Sequence, residues 1–384
     1  MKTHFIPMII LAALLLAACS PVNESPGGVI NTPGNVIATS FPAAPTEQIP
    51  LTAATATTTA ASIAANTTAD DPTAAPAETQ PTLPPGKVTM QEFNVPRGSH
   101  PHDVAPAPDG KVWYTAQGTG ELGLLDPATG ETRHIRLGSG SSPHGVIVGP
   151  DGAPWITDSG QNAIVRVDPS TEAVQVYPLP DDTGYANLNT AAFDGNGVLW
   201  FTGQSGFYGR LDPAVGVVEV FSAPRGRGPY GIAATPDGHI YYVSLAGSHM
   251  ARVDTTTGAA EVLEPPTTRQ GARRVWSDSQ GRLWVSEWIV GQVAVYDPRG
   301  GSWREWKLPG SGPQAYAVFV DDQDIVWLSD FGSNAMVRFD PANEEFTVFP
   351  LPSQQAIIRQ ILGRPGEVWA AESGVDKLIV FKTQ

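Results

Sequence analysis

Two histidines stand 42 residues apart, His102 and His144, each directly after a proline. Imidazoles exchange protons near neutral pH, because the ordinary pKa of the side chain is about 6.5. Asp158 follows His144 by fourteen residues. A carboxylate beside an imidazole fixes its tautomer and raises its basicity for proton transfer. It is also an oxygen ligand for a divalent cation. The same fourteen-residue interval gives further pairs: His102 with Ala116, Asn189 with Gly203, Tyr230 with Ser244, Arg273 with Glu287, Tyr316 with Asp330 and Ile358 with Glu372. Each of the polar pairs also has a purely structural reading. Arg273 and Glu287 make a cross-strand salt bridge, Tyr316 and Asp330 a hydrogen bond, and His144 and Asp158 an oriented imidazole without chemistry.

These pairs recur because the chain repeats. Aligned on the aromatic residue after a turn, the anchors are Trp113, Trp155, Trp200, Tyr241, Trp284, Trp327 and Trp369, at intervals of 42, 45, 41, 43, 43 and 42. Each unit reads as four short strands. The first is a run of small and apolar residues such as 145–148. A Pro-Asp-Gly turn follows, as at 108–110, 150–152 and 236–238, and Asp-Gly between apolar runs marks a hairpin. The second strand carries the anchor, the third ends in Asp-Pro, and the fourth alternates and ends in Pro. No stretch holds a helical period. Seven such units predict an all-β, seven-bladed β-propeller with four-stranded blades. A large aromatic at one strand position in every unit is expected to pack between blades. The last unit lacks a fourth strand, and residues 88–96 have the fourth-strand pattern. The N-terminal strand is therefore expected to close the last blade, which removes an open edge.

In this architecture the first strand of each blade lines a central channel and starts at one mouth, the turn lies at the opposite face, and the second strand returns. The paired positions should therefore crowd one mouth. A concave mouth lined by His102, His144, Asn189, Tyr230, Arg273 and Tyr316, with Asp158, Glu287 and Asp330 beside them, is the expected binding site.

The remainder of the 384 residues is of a different kind. Residues 1–19 carry Lys2, an apolar run over 9–18, and Leu16-Ala17-Ala18-Cys19. The run is too short to span a bilayer, which needs about 20 residues, and has the length of a signal-peptide core. Its end resembles a bacterial lipobox, which implies lipidation of Cys19 and an exported, membrane-anchored protein of the bacterial envelope. Cys19 is the only cysteine, so no intramolecular disulfide forms. Residues 20–87 are rich in Thr, Ala and Pro and read as a disordered linker. The folded domain is expected over 88–384. A net charge of -15 repels phosphate backbones and argues against nucleic acid as a partner. It suits solubility, or local acidic clusters that hold a divalent cation. A monomer is expected.

The Pro-His-Gly-Val segment at 143–146, the Gly-Pro-Asp-Gly turn with its following Trp at 149–155, and the Ile-x-Arg-x-Asp-Pro pattern resemble the virginiamycin B lyase (streptogramin lyase) family over residues 88–384. The resemblance implies a seven-bladed propeller and a Mg²⁺-dependent carbon–oxygen lyase that opens a cyclic depsipeptide by elimination. It implies that His144 acts as general base, that His102 orients substrate or donates a proton, and that Asp158 ligates the metal or orients the histidine. The family also expects an acid two residues before the second histidine, where this chain has Ser142. Three readings stay open at this point. One is the elimination enzyme. The second is a non-catalytic propeller binding a sugar or peptide, suggested by Tyr230, Tyr316 and Asn189 in the ring. The third is a gluconolactonase-type hydrolase, a class usually built with six blades.

Overall fold

The computed structural model describes residues 88–383. The expected lipobox at Cys19 and the linker over 20–87 lie outside the described residues. Within them, 28 strands, numbered β1–β28 in chain order, form seven antiparallel sheets of four. The innermost strands are β2 (Pro101–Pro106), β6 (Pro143–Val148), β10 (Leu188–Phe193), β14 (Pro229–Ala234), β18 (Ala272–Ser277), β22 (Ala315–Val320) and β26 (Ile358–Arg364). Each contacts the innermost strand of the next blade, and β26 meets β2 to complete the ring. The seven-bladed propeller expected from the repeat is the fold of the chain.

All seven anchor aromatics are buried in the core. The indole N–H groups of Trp155, Trp200, Trp284 and Trp327 donate to the turn carboxylates Asp151, Asp194, Asp278 and Asp321 at 2.8–3.1 Å. Trp369 uses Glu367 instead, at 2.8 Å. These five anchors bury their rings in the core and satisfy the indole N–H on their own hairpin, as a buried indole requires.

The ring closes as the sequence predicts. The N-terminal strand β1 (Val88–Asn94) pairs with β28 (Lys377–Thr383), giving the sheet order β1-β28-β27-β26, where β27 is Glu367–Glu372. Phe93 stacks on Trp369 with ring centroids 5.5 Å apart, and Lys377 pairs with Glu92 at 2.5 Å. Val88 lies opposite Thr383, whose N–H donates to Gly366 O in the hairpin turn between β26 and β27. The described chain therefore begins at the turn face of the propeller.

In every blade the register between the first and second strands slips by one residue near the start of the first strand. A bulge of this kind re-aims a side chain, and here it recurs around the channel mouth.

Candidate active site at the channel mouth

In five blades the bulge is held by a hydroxyl group two residues after the anchor aromatic; blades four and seven carry Val243 and Ala371 there. Thr157 accepts from Gly145 N–H at 2.9 Å within its own blade and donates to Asn189 O of the next blade at 2.6 Å. Thr115 does the same between Asp103 N–H and His144 O, at 2.9 and 3.0 Å. Ser286 repeats it between Arg274 N–H and Tyr316 O, at 3.0 and 2.6 Å. Each hydroxyl satisfies backbone groups that the bulge removes from the ladder and fixes one blade's channel residue against its neighbour.

One side of the mouth is built from histidine. The rings of His102 and His144 lie with centroids 3.9 Å apart, and both side chains are buried. His102 Nδ1 donates to Asp103 Oδ1 at 2.7 Å. His144 donates from Nδ1 to Asn189 O at 3.1 Å and accepts at Nε2 from the Asn189 amide at 3.3 Å. Burial, reinforced by Arg274, Arg359 and Arg273, holds His102 well below its usual pKa. Burial and the neighbouring His102 do the same to His144, against the opposing pull of Asp103. Both imidazoles are therefore neutral at physiological pH. Burial raises the Asp103 carboxyl, while Arg274 pulls the other way from 3.3 Å.

The other side is aromatic and cationic. Tyr230 and Tyr316 share a hydrogen bond of 2.7 Å between their hydroxyls. The Arg273 guanidinium lies 3.7 Å from the Tyr316 ring centroid and 4.8 Å from those of Tyr230 and Trp288. It donates to the Tyr230 hydroxyl at 3.1 Å. Burial works to raise the Tyr230 phenol, but Arg273 and Arg274 beside it outweigh burial and leave it below its ordinary value. Burial pushes Tyr316 the opposite way, up to about 12. Arg274 ties the two sides together, bonding Asp103, the Thr190 hydroxyl and Arg359 O.

The structure brings His102, His144, Asn189, Tyr230, Arg273 and Tyr316 into one cluster, but it does not bring the three carboxylates to them. Asp158 accepts from Ser141 Oγ, Ser142 N–H, Gln161 N–H and Gln161 Nε2 at 2.5–3.0 Å. It ties loops together rather than facing His144. Asp330 does the same for Gln314 N–H, Gly332 N–H and Ser333 Oγ. Glu287 accepts from Gln292 at 2.5 Å, not from Arg273. The reason is the bulge. The residues opposite Asp158, Glu287 and Asp330 are Pro143, Ala272 and Ala315, each one step before the channel residue. Successive side chains on a strand point to opposite faces, so one step sends the carboxylate away from the channel.

Three charged residues of the site, Asp103, Arg274 and Arg359, escape the fourteen-residue rule. Asp103 and Arg274 each directly follow a channel residue and form a second layer, which was legible as a charge inside an otherwise apolar strand. In blade seven Ile358 is buried in the hydrophobic core, and Arg359 is the cation acting on His102, His144 and Tyr316. The hairpin there is one residue shorter: Trp369 pairs with Leu362, whereas Trp327 pairs with Phe319. At the far end the channel widens into an apolar cavity of about 360 Å³ lined by Ala105, Ile147, Phe193, Trp276 and Leu362, with no titratable side chain.

The model of the virginiamycin B lyase family matches residues 82–301. The chain belongs to this family. A solved structure of catalytically inactive virginiamycin B lyase from Staphylococcus aureus with quinupristin is 20% identical. It covers 78% of this chain and 100% of that one, with a TM-score of 0.72. A streptogramin B lyase structure is 22% identical, with 78% and 98% covered and a TM-score of 0.71. YCF48 bound to D1 peptide is 16% identical, with 77% and 96% covered and a TM-score of 0.61. No curated protein matches the sequence.

Family membership raises the question of Mg²⁺. Among the described residues His102, Asp103 and His144 place ligand atoms within 4.8 Å of one another, which is metal-ligand spacing. The donor set does not suit Mg²⁺, which takes oxygen ligands in near-octahedral geometry. It offers one carboxylate and two imidazoles. That carboxylate is already bound by His102 and Arg274, and three guanidinium groups act on the same spot.

Proposed function

We propose that the chain is a carbon–oxygen lyase acting on an ester or related C–O bond at the channel mouth, with His102 as general base. The observation that carries this reading is the His102–Asp103 contact of 2.7 Å. It commits Nδ1 as donor and leaves Nε2 of a neutral imidazole as a lone pair. Both nitrogens of His144 are engaged by Asn189, so in this reading the two histidines exchange the roles expected from the sequence. His144 packs against the base and fixes its ring.

Elimination needs a base for the proton on the carbon next to a carbonyl. It also needs a partner for the negative charge that grows on the carbonyl oxygen, and a proton for the departing oxygen. In this reading His102 Nε2 takes the proton, the C–H electrons form the C=C bond, and the C–O bond breaks toward the leaving oxygen. The cations Arg273 and Arg359 supply the electrostatic partner. The Tyr230 hydroxyl, eased by Arg273, supplies the proton. No residue here requires a metal for these steps. The sequence further supports a position outside the cytoplasm, anchored through lipid on Cys19. Labelling with a fatty-acid analogue, lost in Cys19→Ala, tests that position.

The test of the reaction is ring opening of quinupristin, or of another cyclic depsipeptide, by the full chain. Elimination leaves the mass unchanged and creates a conjugated alkene, whereas hydrolysis adds water. His102→Ala should lower the rate by roughly 10²–10⁴-fold, and a chelator should not. Turnover unchanged in His102→Ala removes the proposal, and a product heavier by one water favours the hydrolase reading. A second reading, binding without catalysis, is favoured by Ser142 where the family places an acid and by the Tyr230–Tyr316 pair at the aromatic side of the mouth. It predicts a ligand-induced thermal shift with no product.

A further inference from the structure

We infer that the mouth takes a carboxylate-bearing ligand, seated on Arg273 and Arg359. The inference rests on the mouth being the ligand site, but not on its being catalytic.

Arg273, Arg274 and Arg359 all act on His102, and the one carboxylate beside it, Asp103, feels Arg274 first and Arg359 less. Asp103 pairs with Arg274. Among the described residues neither Arg273 nor Arg359 has an ion pair. Arg273 is held by ring faces and one phenol, and its Nε is enclosed without an acceptor. The carboxylates that the repeat puts nearby are turned away: Asp158 and Asp330 are saturated by loop donors, and Glu287 is held by Gln292. Arg273 is half-buried with its Nε enclosed, and a guanidinium partly withdrawn from water without a counter-ion is costly, even in a chain of net charge -15. The site is therefore short of an anion rather than of a cation, which agrees with its poor fit to Mg²⁺.

The shape narrows the anion. A guanidinium presents a planar fork that matches a carboxylate in two parallel hydrogen bonds. Arg273 lies between the ring faces of Tyr230, Tyr316 and Trp288, a slot for a flat group. The mouth is edged by Trp288, which meets Tyr316 at 5.4 Å, and by Phe331, stacked on Tyr316 at 4.6 Å. Aromatic faces of this kind cover the apolar face of a sugar or short acyl chain. A carboxylate paired with arginine also makes the hydrogen on its neighbouring carbon easier to remove, the task assigned to His102. The ligand class that satisfies charge, shape and chemistry together is a carboxylic acid with an ether or ester oxygen one carbon beyond the acidic C–H, as in a glycosidically linked uronate.

The experiment is thermal unfolding and calorimetric titration of the full chain with D-galacturonate, its neutral methyl ester, and MgCl₂ alone. Galacturonate should raise the unfolding temperature, and the ester should bind at least tenfold more weakly. Added NaCl should weaken the acid, and Mg²⁺ should have no effect. Arg273→Gln should abolish the response and Arg359→Gln should reduce it at least tenfold. Arg273→Lys, which keeps the charge but loses the fork, should fall between. His102→Ala should still bind the acid. Equal binding of acid and ester, an unchanged response in Arg359→Gln, or stabilisation by Mg²⁺ without any by galacturonate overturns the inference. Failure here, with quinupristin opened through His102, rejects the carboxylate and keeps the lyase. Acid binding without turnover does the reverse.

Discussion

Glu372, the last residue of the second strand of blade seven, is buried, and neither carboxylate oxygen has a hydrogen-bond partner. Burial, with Glu92 adding to it and Lys377 opposing, pushes its pKa from 4.5 up to about 8. The folded protein thus keeps a proton that the unfolded chain releases near pH 4.5. Stability from this group is whole below that pH and is lost as pH rises through about 8. The interval corresponds to about 5 kcal/mol at ~1.36 kcal/mol per pH unit. Local relaxation and water entry offset part of it, leaving about 2–4 kcal/mol. Glu372→Gln keeps the shape and removes the charge. At pH 5 variant and parent should unfold within about 1 kcal/mol of each other, because the folded parent carries a neutral acid there and only the unfolded chain has begun to ionise. At pH 9 the variant should be the more stable, with an unfolding temperature higher by roughly 3–6 °C for a domain of this size. Tryptophan fluorescence against temperature at pH 5, 7 and 9 reads this directly, since several anchors are buried in the same seams. A difference that does not change with pH, or a parent more stable than the variant at pH 9, refutes the reasoning. Glu287, also raised to about 8 by burial, should behave alike, and the two effects should add because the residues lie in different blades.

Three further outcomes follow from the contacts described above. Asp103→Asn leaves Arg274 buried without its anion and should cost about 3–5 kcal/mol in denaturant unfolding, while freeing the His102 tautomer. Thr157→Val removes the hydroxyl between Gly145 N–H and Asn189 O and should cost about 1–3 kcal/mol, not the fold, because Val243 occupies the matching position of blade four. A chain lacking residues 88–94 exposes the edge of β28 and strips Phe93 from Trp369. It should unfold at lower temperature and associate on size-exclusion chromatography.

The fold was legible because its signals are local and repeated. An aromatic at a fixed place after each turn marks every blade, and residues 88–96 carry the pattern of the strand missing at the other end. The side chains of the site were legible only to within one residue. A strand's faces alternate every residue, so a single bulge decides whether Asp158 meets His144 or a loop. Nothing in the apolar run of 143–148 announces the bulge. Its trace lies elsewhere, in the Thr or Ser two residues after the anchors Trp113, Trp155, Trp200, Trp284 and Trp327, whose meaning depends on a backbone partner in the next blade. Arg359 was hidden for a related reason, since a hairpin shorter by one residue moves every later match by one. Asp103 and Arg274 were visible as charges in apolar strands, but their pairing spans 171 residues and no local pattern contains it.

The entry of the described chain at Val88, beside the Gly366 turn, has a consequence for traffic. The described chain joins the propeller at the outermost strand of blade seven, on the turn face, while the histidines and arginines lie at the opposite mouth. The strand that closes the ring therefore starts away from them, and a solute reaches the mouth without passing Val88.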